Sequence, residues 1–179
     1  MRRTGLLLIT AVALLSLLIA ALWYRAHYGM KQVASYEFND PELPQRVLIA
    51  TQGSAFKDAV LAELLTYLSD LPVHVQVRDV SALATVNEAD WTALVIIHTW
   101  EYWRPEPTAA AFLTRAANRE HVIVLSTSGD GNKKIDNIDA LTAASDMSAV
   151  PRLGGALKQQ LSAILKSENL NAENPNFHP

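Results

Sequence analysis

The chain has 179 residues, of which 50% are hydrophobic and 18% charged, and it contains no cysteine. That is enough for one domain of ordinary size with a leader and a tail. The lack of thiols excludes disulfide scaffolds, thiolate metal sites, cysteine nucleophiles and Cys-x-x-Cys redox chemistry. The formal net charge is −3, but Arg2, Arg3, Arg25 and Lys31 are the only formal charges in the first 31 residues, which leaves the rest of the chain at −7. A nucleic-acid binder concentrates Lys and Arg on one face, and no such stripe is present.

Residues 5–24 carry no formal charge and are dominated by Leu, Ala and Ile. As a helix they would rise roughly 30 Å, the thickness of a bilayer's hydrocarbon core. Trp23, Tyr24 and Tyr28 stand where an interfacial aromatic belt would lie. Ala20 and Ala21 are followed by bulky Leu22, Trp23 and Tyr24, a poor context for leader cleavage. The expectation is an uncleaved signal anchor within residues 1–30. It would be a single transmembrane helix in the inner or plasma membrane, with the folded part extracytoplasmic (periplasmic). Residues 31–45 read as a linker, since Asp40-Pro41 and Leu43-Pro44 break any helix.

Strand and helix patterns then alternate. Residues 46–50 are a short apolar run. Residues 54–68 follow with a helical stripe through Phe56, Val60, Leu64 and Leu68. In residues 73–77 β-branched positions alternate with His74 and Gln76, as in a more exposed strand. Residues 93–97 form the most hydrophobic run and predict a central strand covered on both sides. Ala109, Phe112, Leu113 and Ala116 make a helical face within residues 107–117. Residues 121–125 read as a fourth strand and 139–143 as a fifth. Residues 151–165 close the domain as a helix on Leu153, Leu157, Leu161 and Ile164, and 167–179 read as a disordered tail. The fold class expected is α/β, an open parallel sheet over residues 46–166 with helices on both faces. Ligand sites in such sheets lie beyond the carboxyl ends of the strands, so the informative residues follow Ala50, Ile97 and Leu125.

Three loops stand there. Thr51, Gly53 and Ser54 lead into the first helix, where hydroxyls and free N–H groups suit a phosphate; the same residues also make an ordinary serine-capped turn. Trp100, Tyr102 and Trp103 crowd the second loop. Flat rings suit stacking on a planar ligand, while packing under the next helix is the plainer use of one of them. Ser128, Gly129 and Asp130 make a polar third loop whose backbone can approach a ligand edge, or a simple turn.

This set of loops resembles the flavodoxin-like family over residues 46–165. The resemblance implies strand order 2-1-3-4-5 and noncovalent FMN. It also implies electron transfer to or from a redox partner or quinone, as an electron carrier or an FMN-dependent oxidoreductase. It implies Thr51, Gly53 and Ser54 at the phosphate, and Trp100, Tyr102 or Trp103 against the isoalloxazine. Ser128, Gly129 and Asp130 would lie on the far side of the ring. Gln52 and Ala55 stand where the family's T-x-T-G-x-T phosphate loop has further hydroxyls. The alternative is therefore a cofactor-free interaction module of the same fold, tethered to a membrane protein complex. His27, His74, His98, His121 and His178 are scattered without metal-ligand spacing, so no metal is expected. His98, at the end of the central strand, is the one histidine placed to touch a ligand. No residue is assigned a catalytic role.

Overall fold

The computed structural model describes residues 2–28 and 30–173. The chain divides into two units, residues 1–31 and 32–179.

In the first unit, α1 (Arg2–Tyr28) is a helix of 27 residues. Its large apolar side chains between Leu7 and Trp23 are exposed. Tyr24 and Tyr28, the other expected interfacial rings, lie outside the described side chains. Among the described residues no helix is long and apolar enough to cross a membrane. The expected transmembrane anchor, and the single-pass membrane location drawn from it, are corrected on that finding.

The second unit is a six-stranded sheet in the order β1-β3-β2-β4-β5-β6. Its strands are β1 (Tyr36–Phe38), β2 (Arg46–Thr51), β3 (His74–Asp79), β4 (Ala93–Thr99), β5 (Val122–Thr127) and β6 (Leu141–Ala143). Strands β2 to β6 pair in parallel, with Val47 opposite both Val75 and Ala93, Leu94 opposite Val122, and Leu125 opposite Leu141. The sheet is nevertheless mixed, because β1 pairs antiparallel with β3, Tyr36 facing Val77. That strand arises inside the segment that reads as a linker. Three residues, Tyr36-Glu37-Phe38, are too short a period-two pattern to stand out in sequence. The structure fixes the segment by hydrogen bonds instead. Asn39, with φ 62°, donates from Nδ2 to the Val73 carbonyl at 2.8 Å, and Asp79 accepts the Val33 N–H at 3.0 Å.

Strand alternation divides the core into two layers. Val47, Ile49, Val75, Val77, Val95 and Ile97 pack against α2 (Ala55–Leu68) and α4 (Val150–Glu173). Leu48, Ala50, Leu94, Ile96 and Val124 face α3 (Pro107–Arg115) and the short 3₁₀ turn that carries Val80 and Leu83. Among the described residues no helix joins β5 to β6. Helix α4 runs through Glu173, so the first part of the expected tail is helical. Beyond Leu165 the described side chains, residues 166–170, are exposed and mostly polar, which is why periodicity stops there.

Candidate functional site

After β2 the chain crosses through α2 to β3 on one side. After β4 it crosses through α3 to β5 on the other. Beyond the carboxyl ends of β2 and β4 lies the topological switch point, where the two departing loops separate and leave a crevice. A cleft of about 500 Å³ occupies it, with Gln52, Thr99, Glu101, Tyr102, Arg104 and Glu106 in its lining. That volume lies in the range of small-molecule sites.

The first loop is built inward. Thr51 is buried and its hydroxyl donates to the Gln52 carbonyl at 3.2 Å. Gly53 is buried as well. Ser54 caps α2, its Oγ accepting the Lys57 N–H at 3.3 Å. Among the described residues the amides of Ala55 and Phe56, in the first turn, have no acceptor. Gln52 stands where a hydroxyl was expected, yet it is the residue of this loop that reaches the cleft. Its Oε1 accepts the Thr99 N–H at 2.8 Å and so ties the first loop to the second.

The second loop is a two-residue hairpin. Glu101 N–H donates to the Arg104 carbonyl at 2.9 Å, and Arg104 N–H donates back at 3.0 Å. Tyr102 and Trp103, at its tip, have φ of 51° and 65°. Bulky residues pay about 1–2 kcal/mol each for the left-handed region, and such strain collects at functional sites. Tyr102 is 79% and Trp103 86% exposed; Tyr102 lines the cleft and Trp103 does not. Trp100 is half-buried, its indole N–H donating to Ser126 Oγ at 3.0 Å, so it braces β4 against β5. Pro107 begins α3, and Glu106 caps it by accepting the Ala109 N–H at 2.5 Å.

No family model matches the chain, and no curated protein does. Among solved structures it is similar to the metal-soaked Flv1 flavodiiron core from Synechocystis sp. PCC6803, at a TM-score of 0.51 and 10% identity. The match covers 71% of this chain and 37% of that one. The likeness supports a flavodoxin-like fold. At that identity it speaks for the fold alone.

In this flavodoxin-like sheet the third loop does not join the other two. Ser128 Oγ donates to Asp130 Oδ1 at 2.6 Å and accepts the Lys133 N–H at 3.3 Å. That bond from Ser128 is the main reason the Asp130 carboxyl lies below its ordinary range. Ser128 N–H donates to the Ala143 carbonyl at 3.2 Å, drawing the loop toward β6. Ser128, Gly129 and Asp130 are therefore outside the cleft lining. Gly131 is the conformational key of this turn. Its φ is +70°, and an added Cβ would lie 2.5 Å from the Ala144 amide nitrogen. Gly131→Ala is expected to destabilise the domain by about 2 kcal/mol in urea denaturation, from the left-handed backbone and the clash together.

Two buried groups behind the cleft were not singled out as site residues from sequence. Lys57 is fully buried. Burial lowers its amine from 10.5 to about 8, against the opposing pull of Glu101 and then Asp58. Its signal was available, because Lys57, Leu61, Leu64 and Leu68 share one buried helical arc. His98 is fully buried too, and both ring nitrogens lack a partner among the described residues. Burial lowers its imidazole from 6.5 to about 4, opposed by the Thr99 backbone and Glu106. His98 was read as the one histidine near a ligand; its complete burial was not legible.

Tested against FMN, the residues divide. Tyr102 offers a ring face, Gln52 a side-chain amide for a ring edge, and Arg104 a guanidinium; Thr99 gives its N–H to Gln52, and its hydroxyl pairs with that of Thr127. These residues fit a flat ligand whose anionic group meets Arg104, in a lining that also holds the Glu101 and Glu106 carboxylates. Thr51, Ser54 and the third loop spend their polar atoms on the protein itself.

Proposed function

We propose that this chain binds FMN noncovalently at the β2/β4 switch point and passes electrons to or from a redox partner or quinone. The carrying observation is the position of the cleft, at the crevice where open α/β sheets take their ligands, with Tyr102 in its wall. The flavin supplies the redox chemistry when bound; the chain supplies position and environment. Tyr102 takes the stacking role, narrowed from the three aromatics of the loop. Gln52 approaches the polar edge of the ring, and Arg104 with the α2 N-terminus faces the phosphate. Gly53 lets the backbone turn into α2, Ser54 holds that N-terminus in place, and Ser128, Gly129 and Asp130 brace the neighbouring turn.

The test is titration with FMN, followed by quenching of its fluorescence. Tyr102→Ala is expected to weaken binding by about 1–3 kcal/mol, by analogy with aromatic stacking on planar bases. Trp103→Ala should leave affinity nearly unchanged. An unmutated chain that fails to quench FMN at tens of micromolar sinks the reading.

One observation favours a second reading. Trp103 is 86% exposed and held at φ 65° on a hairpin tip, which is how a protein interface presents an anchor. Under this reading the domain is a cofactor-free recognition module, and the same titration is blank.

A further inference from the structure

We propose that Arg46, His74 and Arg78, gathered around Trp91 on one face of the sheet, form a phosphate-binding site separate from the cleft.

Strand register places these side chains together. Arg46 of β2 stands opposite His74 of β3, and Gln76 and Arg78 follow at every second residue. Val47, Val75 and Val77, which alternate with them, belong to the layer under α2 and α4. Alternation therefore turns Arg46, His74, Gln76 and Arg78 to the other face. Trp91, just before β4, is buried on that face. Both guanidiniums converge on its ring, Arg46 Cζ lying 4.9 Å and Arg78 Cζ 5.7 Å from the centroid. Two like charges are thus held around one indole, and neither makes an ion pair among the described residues.

His74 is the independent observation. It is 1% exposed, and its Nδ1 has no partner among the described residues. The neighbouring bonds assign the proton of the neutral ring. Arg78 Nη2 donates to Gln76 Oε1 at 2.5 Å, which fixes the orientation of the Gln76 amide. Gln76 Nε2 then donates to Glu37 Oε2 at 3.0 Å and lies 3.3 Å from His74 Nε2. Glu37 Oε2 is 3.6 Å from His74 Nε2, beyond hydrogen-bond reach. His74 Nε2 therefore accepts from Gln76, and the proton sits on Nδ1. A buried N–H without an acceptor is costly. A ligand oxygen there removes that cost.

The donors set the class of ligand. Arg46, the remaining N–H groups of Arg78 and His74 Nδ1 all donate, while Gln76 occupies the Glu37 carboxylate. A group that only accepts completes the set. A carboxylate carries two oxygens in one plane and suits a single arginine, whereas a phosphate turns oxygens toward donors that arrive from two strands. Trp91, 8% exposed, is no stacking surface for the ligand; it positions the guanidiniums. A cavity of about 330 Å³ at this edge, with Ser35, Glu37, Gln76 and Arg78 in its lining, gives the anion its approach.

The experiment uses the full chain with inorganic phosphate as the probe, against sodium chloride at equal ionic strength. Phosphate should raise the melting temperature where chloride does not. Arg46→Met and Arg78→Met keep an apolar stem on Trp91. Each should raise the phosphate concentration required by about tenfold or more, the loss of one charge-assisted hydrogen bond. Arg104→Met, in the cleft, should leave that concentration unchanged. Melting temperatures without phosphate report that the variants are folded. Nitrogen NMR of the unmutated chain needs no variant: the His74 proton should reside on Nδ1, and that resonance should shift when phosphate is added.

Phosphate that stabilises no better than chloride overturns the site, as does stabilisation that is lost in Arg104→Met but kept in Arg46→Met. A His74 proton on Nε2, or an Nδ1 resonance indifferent to phosphate, overturns it too. The FMN titration stands or falls separately, since Arg46, His74 and Arg78 are outside the cleft lining.

Discussion

Acidification is expected to remove about 3 kcal/mol of folding stability through His98 alone. Burial lowers its pKa from 6.5 to about 4. The folded chain therefore keeps the ring neutral, while the unfolded chain takes up a proton as the pH falls through 6.5. Stability is lost progressively between those two values, and the loss is complete below the lower one. His98→Phe removes the titrating group and its two unpartnered nitrogens. Urea denaturation of both proteins at about pH 7 and about pH 4.5 separates this effect from that of the carboxylates, which titrate mainly lower. The unmutated chain should lose markedly more stability over that interval than the variant. Equal losses would show that His98 is not the group responsible.

Lys57→Met is expected to stabilise the fold by about 3 kcal/mol at neutral pH. The amine is depressed from 10.5 to about 8, so the folded state disfavours the charged form that the unfolded chain carries freely. The penalty is complete below about pH 8 and disappears as the pH rises through the unfolded value. The unmutated chain should thus gain stability toward alkaline pH while Lys57→Met stays flat. A destabilised variant would mean that the amine's contacts outweigh its desolvation.

The central strands were legible because β2, β4 and β5 are covered on both faces and read as continuous apolar runs. The edges were not. Tyr36-Glu37-Phe38 is too short to show a period, and the last turns of α4 have no apolar face. The apolar run near the amino terminus had the right length on paper, but among the described residues no helix meets the requirement for a span.

The site was legible as three loops at one sheet edge and illegible in how they are used. Tyr102, named among the loop aromatics, lies in the cleft lining, whereas Gln52, which also lies there, had been read as a departure from a hydroxyl-bearing loop. Conformation decided the rest. Nothing in Tyr102-Trp103 advertises two left-handed residues, which side-chain sterics oppose. The hydroxyls of Ser54 and Ser128 satisfy local caps and turns, a use that sequence cannot distinguish from ligand binding. Lys57 shared an arc with leucines, and a charged residue on a buried stripe was the clearest missed signal.

The central claim is that ligand binds between the first two loops, with the third left out. Amide hydrogen exchange with and without saturating FMN tests it most directly. Slowed exchange at residues 52–57 and 99–106, with residues 128–132 unchanged, is the result predicted. Protection centred on residues 128–132, or no protection anywhere, would contradict it.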